Sequence, residues 1–195
     1  MTQHAEIPFF PLNTVLFPGG PLPLRIFEPR YVDMVRNCLR ERRSFGVVLI
    51  RAGSEVGAVA DVAEIGTSAH IADFYQLPDG LLGIACVGER KFRVQRRWVQ
   101  DDGLNRAEIE WIPEESSVEV PGEYQHLSQL LRRVLPELGD FYRSVTKRFD
   151  DATWVGYRLS EILPIALQDK QQCLEIDDPV ARLARLSPLI RRVDD

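Results

Sequence analysis

The hydrophobic rhythm of this 195-residue chain changes once, and that change limits the folds open to it. From residue 6 to about 112, apolar residues fall in short runs rich in β-branched and aromatic types: Ile7–Phe10, Leu22–Ile26, Phe45–Ile50, Ala69–Leu77, Leu81–Val87, Phe92–Val99 and Arg106–Ile112. Gly, Pro or Asp-Gly separates them, as expected of strands joined by turns. From Gly122 onward the spacing becomes helical. Leu127, Leu130, Leu131, Val134, Leu135 and Leu138 form one stripe that ends near Gly139. Trp154, Val155, Leu159, Ile162 and Leu163 form another, stopped by Pro164. Asp177-Asp178-Pro179 opens a last helix carrying Val180, Leu183, Leu186 and Ile190, with Asp as cap and Pro in the first turn. The polar stretch Pro113–Ser117 between the two rhythms reads as a linker. The expectation is an α+β chain with an N-terminal antiparallel β-barrel and one helix over residues 1–117, then a C-terminal helical bundle over 118–195.

Local signals support the barrel half. Asp79-Gly80 inside Tyr75–Leu82 predicts a hairpin, and Asp101-Asp102-Gly103 predicts a second, each Gly supplying the positive φ that a tight turn needs. The one helix starts at Pro29, where a missing N–H leaves no intrahelical bond unmade. Val32, Val35 and Leu39 fall at i, i+3 and i+7, with Tyr31, Met34 and Cys38 alongside. The basic run Arg40–Arg43 suits the negative end of the helix dipole and reads as a solvated helix end.

Composition narrows the function. Lys and Arg number 24 against 29 Asp and Glu, a net charge of −5, whereas binders of nucleic-acid phosphate usually carry a basic excess. No window of 18 uninterrupted apolar residues occurs, so no transmembrane helix is expected. Met1–Glu6 is polar and lacks the pattern of a signal peptide. Cys38, Cys86 and Cys173 are isolated and odd in number, which favours buried thiols in a reducing, cytoplasmic setting.

Catalytic patterns are missing. The chain has no phosphate-binding loop, no dinucleotide fingerprint and no G-x-S-x-G elbow. Ser68 and His70, two apart on an expected strand, share a face, but that spacing guarantees no mutual hydrogen bond. His4, His70 and His126 lie far apart, and no Cys stands near another Cys or a His. No metal, cofactor or catalytic residue is expected, and the chain reads as non-enzymatic.

The segment Ile7–Tyr31 holds six prolines. Pro11, Pro18, Pro21 and Pro23 favour extended or turn backbone and limit ladder hydrogen bonding. Its Pro11-Leu12, Leu16-Phe17-Pro18-Gly19 and Leu24-Arg25-Ile26-Phe27-Glu28-Pro29-Arg30-Tyr31 resemble the opening of the Lon protease N-terminal substrate-binding domain family. The likeness continues through Phe45–Ile50, Val56-Gly57, Gly66-Thr67 with Ala69 and Ile71, Gly88–Val94, Ala107–Glu110 and Asp178–Leu183 with Leu186, and so covers essentially the whole chain. It implies a PUA-like pseudobarrel followed by a helical bundle. It also implies a non-catalytic module that recognises unfolded polypeptide segments or a protein partner, including a component of a proteolytic system. Full-length Lon continues into ATPase and serine–lysine protease modules that these 195 residues lack, so a stand-alone member without proteolysis is expected.

Within that resemblance, Leu16, Phe17, Pro18, Gly19, Leu22, Phe27 and Arg30 are the candidate polypeptide-binding residues. Taken singly, Leu12, Phe17, Leu22, Leu24 and Phe27 read as barrel core. Phe17, beside Pro18-Gly19-Gly20, is the exception, expected at an exposed loop tip. Arg25, Glu28 and Arg30 read as an ion pair that ties the barrel to its helix. The alternative is a PUA-like RNA- or nucleotide-binding protein using Arg90, Lys91, Arg93, Arg96 and Arg97. Strand parity puts Lys91, Arg93 and Arg97 on one face and Arg96 on the other.

Overall fold

Among the described residues, the first half forms seven strands, six of them from the β-branched runs. The seven are β1 (His4–Leu12), β2 (Pro21–Ile26), β3 (Phe45–Ala52), β4 (Asp61–Val62), β5 (Ile65–Gln76), β6 (Leu82–Val99) and β7 (Asn105–Trp111). The computed structural model describes residues 4–53, 61–139, 142 and 145–191; of the residues expected to resemble the Lon family, Val56-Gly57 lie outside this set. The chain divides into two units, Met1–Pro113 and Glu114–Asp195. In the first, β1 pairs with β7, β7 with β6, β6 with β5 and β5 with β3, and β3 returns to β1. Every pairing around this ring is antiparallel except the last, where Phe9↔Gly46 to Leu12↔Leu49 run in parallel. A parallel pair needs a long crossover. Here β2 and the helix α1 (Pro29–Glu41) provide it.

Two expected strands, Leu81–Val87 and Phe92–Val99, are one 18-residue strand, β6. Gly88 had looked like punctuation between them. It is instead a point of close approach: a Cβ there would lie 2.2 Å from the Phe17 carbonyl oxygen. The two hairpins form where expected, with Gly80 at φ 84 and Gly103 at φ 81.

Helix α1 buries Tyr31, Met34, Val35 and Cys38. The inward stripe is therefore turned from the expected one, leaving Leu39 exposed and Val32 half-buried. Tyr31, Met34, Val35 and Cys38 share a core with Phe10, Leu12, Leu16, Ile26, Phe45, Ile84 and Cys86, while Phe9, Phe92, Ala107 and Ile109 centre a second cluster.

All three cysteines are free and buried. Burial pushes the Cys38 thiol up to about 11 and the Cys86 thiol to about 12, from an ordinary 9.0. Between those values the folded chain holds protons that the unfolded chain has released, so stability falls as pH rises past about 9. Each thiol is expected to contribute a slope of about 1.4 kcal/mol per pH unit over that range. Urea midpoints at pH 8 and pH 10.5 check this; a Cys38→Ala/Cys86→Ala chain with the same pH slope as wild type would disprove it.

In the second unit, the stripe from Leu127 makes α2 (Gln125–Val134), then tightens into a 3₁₀ turn at Leu135–Leu138 and ends at Gly139, φ 80. The helices α3 (Ala152–Ile162), α4 (Leu167–Glu175) and α5 (Pro179–Arg191) follow. Helix α3 is central, touching α2, α4 and α5, and is buried almost all round, Arg158 and Ser160 included. Asp151 Oδ1 caps it by accepting from Thr153 N at 3.0 Å, and Asp178 Oδ1 caps α5 by accepting from Val180 N at 2.8 Å.

The stretch read as a linker is partly built into this unit. Arg182 on α5 donates both Nη atoms to the Glu115 carboxylate, at 2.8 and 2.6 Å. Both side chains are buried. The Tyr157 hydroxyl donates to Glu115, Arg182 stacks on the Tyr157 ring at 4.1 Å, and Arg182 Nε donates to the Cys173 carbonyl at 2.8 Å.

Candidate functional site

Strand β2 pairs with β6 alone among the described residues, so one of its edges is free. Gly88 N donates to Gly20 O at 2.9 Å, which makes 20 and 88 a hydrogen-bonded pair of this antiparallel ladder. The register runs unshifted from there, Pro21↔Val87 to Ile26↔Leu82. Leu22, Leu24 and Ile26 therefore aim their amides at β6, and Pro21, Pro23 and Arg25 face the free edge. The two prolines sit where a missing N–H leaves the ladder intact.

The free edge borders a groove of about 420 Å³, walled by Phe10, Leu12, Leu22, Leu24, Phe27 and Tyr31, with Asn13, Thr14 and Glu28 adding polar groups. Pro23, Leu24 and Arg25 are shared with a second, shallower hollow of about 460 Å³ bounded by Tyr75, Leu77, Pro78 and Asp79. Tyr75 lies over Gly83, where a Cβ would be 2.4 Å from its ring.

Parity explains the groove wall. Leu22, Leu24 and Ile26 point into the barrel, so Phe27, next along, points out and is 57% exposed. Phe10 and Tyr31 stack with centroids 3.8 Å apart, and the Arg30 guanidinium lies 4.8 Å from the Tyr31 centroid. The charges lining both hollows are paired: Arg25 with Asp79, and Glu28 with Arg30 at 2.8 Å. Arg30 also donates to the Gly103 carbonyl at 2.8 Å. It is thus a strut between α1 and the second hairpin rather than part of the groove lining.

The candidate residues part company. Leu22 and Phe27 line the groove; Leu16, Phe17, Pro18 and Gly19 do not. The expectation of an exposed Phe17 is overturned, since its exposure is 0% and Leu16 is buried beside it. The cause is backbone docking. Thr67 Oγ1 donates to Leu16 O at 2.6 Å, and Gly19 N donates to Gly88 O at 2.7 Å, so the Gly-rich loop lies against the barrel wall. Phe10, Tyr31, Tyr75 and Pro78 were not expected at a site. They come from β1, α1, β5 and the turn after β5, and only the fold brings all four to β2.

The alternative surfaces are not built for their ligands. Arg93 pairs with Glu64 at 3.7 Å, Arg96 with Glu108 at 2.8 Å and Arg106 with Glu6 at 2.7 Å, so acid and base alternate across the strands. Arg90 stacks on Trp111 at 4.8 Å, Lys91 is buried, and a register shift between Val94 and Arg96 breaks the expected parity. A continuous stripe for phosphates does not result. Ser68 is buried and accepts from Arg90 N at 3.1 Å, whereas His70 is exposed.

A ring of strands closed by a parallel pair, with a helical unit following it in the chain, defines the class: α+β proteins built on a PUA-like barrel. The comparisons then specify which. Residues 6–192 match the family described as the ATP-dependent protease La (LON) substrate-binding domain, and the chain belongs to that family. A Lon protease of Cytophaga hutchinsonii is 29% identical over 193 residues, covering 94% of this chain and 24% of that protease. The chain thus spans about a quarter of the length of this relative. A Lon N-terminal domain protein from Xanthomonas campestris, known from a crystal structure, is 39% identical with TM-score 0.79, over 94% of this chain and 98% of that one. The N-terminal domain of Mycobacterium avium complex Lon protease shares the fold at 17% identity and TM-score 0.63, over 92% and 95%.

Proposed function

We propose that this chain is a non-catalytic recognition module whose β2 groove binds uncharged, apolar stretches of unfolded polypeptide or of a partner protein. The observation that carries this reading is Phe27, an aromatic side chain left 57% exposed on the wall of a groove whose charged residues all have partners. Apolar surface that is both exposed and continuous with a concave apolar groove marks binding sites. Membership of the Lon substrate-binding family supports the same class of ligand. A cytoplasmic location and a partner from a proteolytic system are part of the proposal.

Phe27→Ser tests it. The residue is exposed, so the melting temperature is expected to hold, the change in stability staying within about 0.5 kcal/mol. Affinity for fluorescein-labelled, reduced and carboxymethylated α-lactalbumin, followed by anisotropy, is expected to fall about ten-fold or more, as for an aromatic anchor. Unchanged affinity in a folded variant would remove the groove from consideration.

A further inference from the structure

The free edge of β2 is unequal in what it offers a guest. Pro21, Pro23 and Arg25 face it, and only Arg25 has an N–H to give. A polypeptide added here as a strand would need a donor for its carbonyl at each of those three positions. At two of them it meets a pyrrolidine ring whose CH₂ stands where the amide hydrogen would be. That ring holds the guest backbone off the edge and leaves the guest's carbonyls to water, which is how edge prolines keep sheets from pairing with other chains. The groove beside this edge is nevertheless open and apolar, and its charged residues Arg25 and Glu28 are paired with Asp79 and Arg30. An uncharged side chain can therefore enter where a backbone cannot pair.

Resting on the polypeptide-recognition reading above, we propose that Pro21 and Pro23 are specificity-determining residues. They bar strand addition, so the groove selects an extended segment by its uncharged apolar side chains and not by its backbone. Capture of this kind stays reversible, because no ladder forms between host and guest.

The probe is a short fluorescein-labelled peptide of alternating leucine, phenylalanine and serine, compared with the same peptide N-methylated at every second amide. N-methylation removes the hydrogen bonds of a strand and keeps the side chains. Wild type is expected to bind both with dissociation constants within about two-fold of each other. Pro21→Ala/Pro23→Ala restores two donors, and is expected to favour the unmethylated peptide by about ten-fold. Should the double variant melt early, Pro23→Ala alone, at the middle of the edge, is read in the same way. Wild-type binding that drops about ten-fold on methylation while still depending on Phe27 would overturn this inference and leave the recognition reading standing. So would equal binding of the two peptides by a folded proline variant. Failure of wild type to bind either peptide would overturn both.

Discussion

Arg182→Met is expected to lower stability by roughly 3–5 kcal/mol, the usual loss when one member of a buried ion pair is removed. The reason lies in what it leaves behind. Glu115 would remain buried with its bidentate partner gone. The carbonyls of Cys173 and Ile176, at the end of α4, would also lose the donors that Arg182 supplies. Glu115→Leu should be as harmful from the other side, stranding the guanidinium. The double variant Glu115→Leu/Arg182→Met should recover part of the loss, because a buried pair can be replaced by apolar volume. It should not recover all of it, because the Cys173 and Ile176 carbonyls still lose the donors that Arg182 supplied. Urea unfolding of the three variants checks the order; an Arg182→Met loss below about 1 kcal/mol would show that the pair is not dry.

Phe17→Ala is the second large effect, an expected loss of roughly 3–5 kcal/mol, as for an aromatic ring deleted from a packed core. Phe17 is 0% exposed, and its own carbonyl lies against Gly88. Gly88→Ala should therefore destabilise through the same contact. Its Cβ would sit 2.2 Å from the Phe17 carbonyl oxygen, and neither backbone can yield without breaking the Gly19–Gly88 and Gly88–Gly20 hydrogen bonds. Thermal melts of both variants test this. A Phe17→Ala chain that melts like wild type would return the loop to the surface and to the list of binding residues.

Phe17 and Phe27 show how far local reading carries. Both are aromatic, and both belong to the same proline-punctuated segment. The loop beside Phe17 looked exposed because Gly-rich turns usually are. Only the register of β6 reveals that a glycine, Gly88, was placed opposite to let that loop dock. Phe27, read singly as barrel core, is instead 57% exposed, and here a signal was present in the sequence. Phe27 follows three alternating inward residues, Leu22, Leu24 and Ile26, so strand parity alone sends it outward. Glu115 makes the same point for charge. Its neighbours are polar and its segment looked like a linker, while the arginine that buries it is 67 residues away.

The amino-acid sequence by itself determined the division of this protein into a β-rich and a helical half, the hairpins at Gly80 and Gly103, and the Asp178 cap. These depend on period, turn chemistry and capping, which act over a few residues and are written in the order of side chains. Tertiary structure decided which apolar residues are core and which form a surface. It closed the barrel through the parallel β1–β3 pair, ran two expected strands into β6 and drew Phe10, Tyr31 and Tyr75 to the edge of β2. Burial depends on what lies across the sheet, and contacts between residues distant in the chain leave no periodic trace along it.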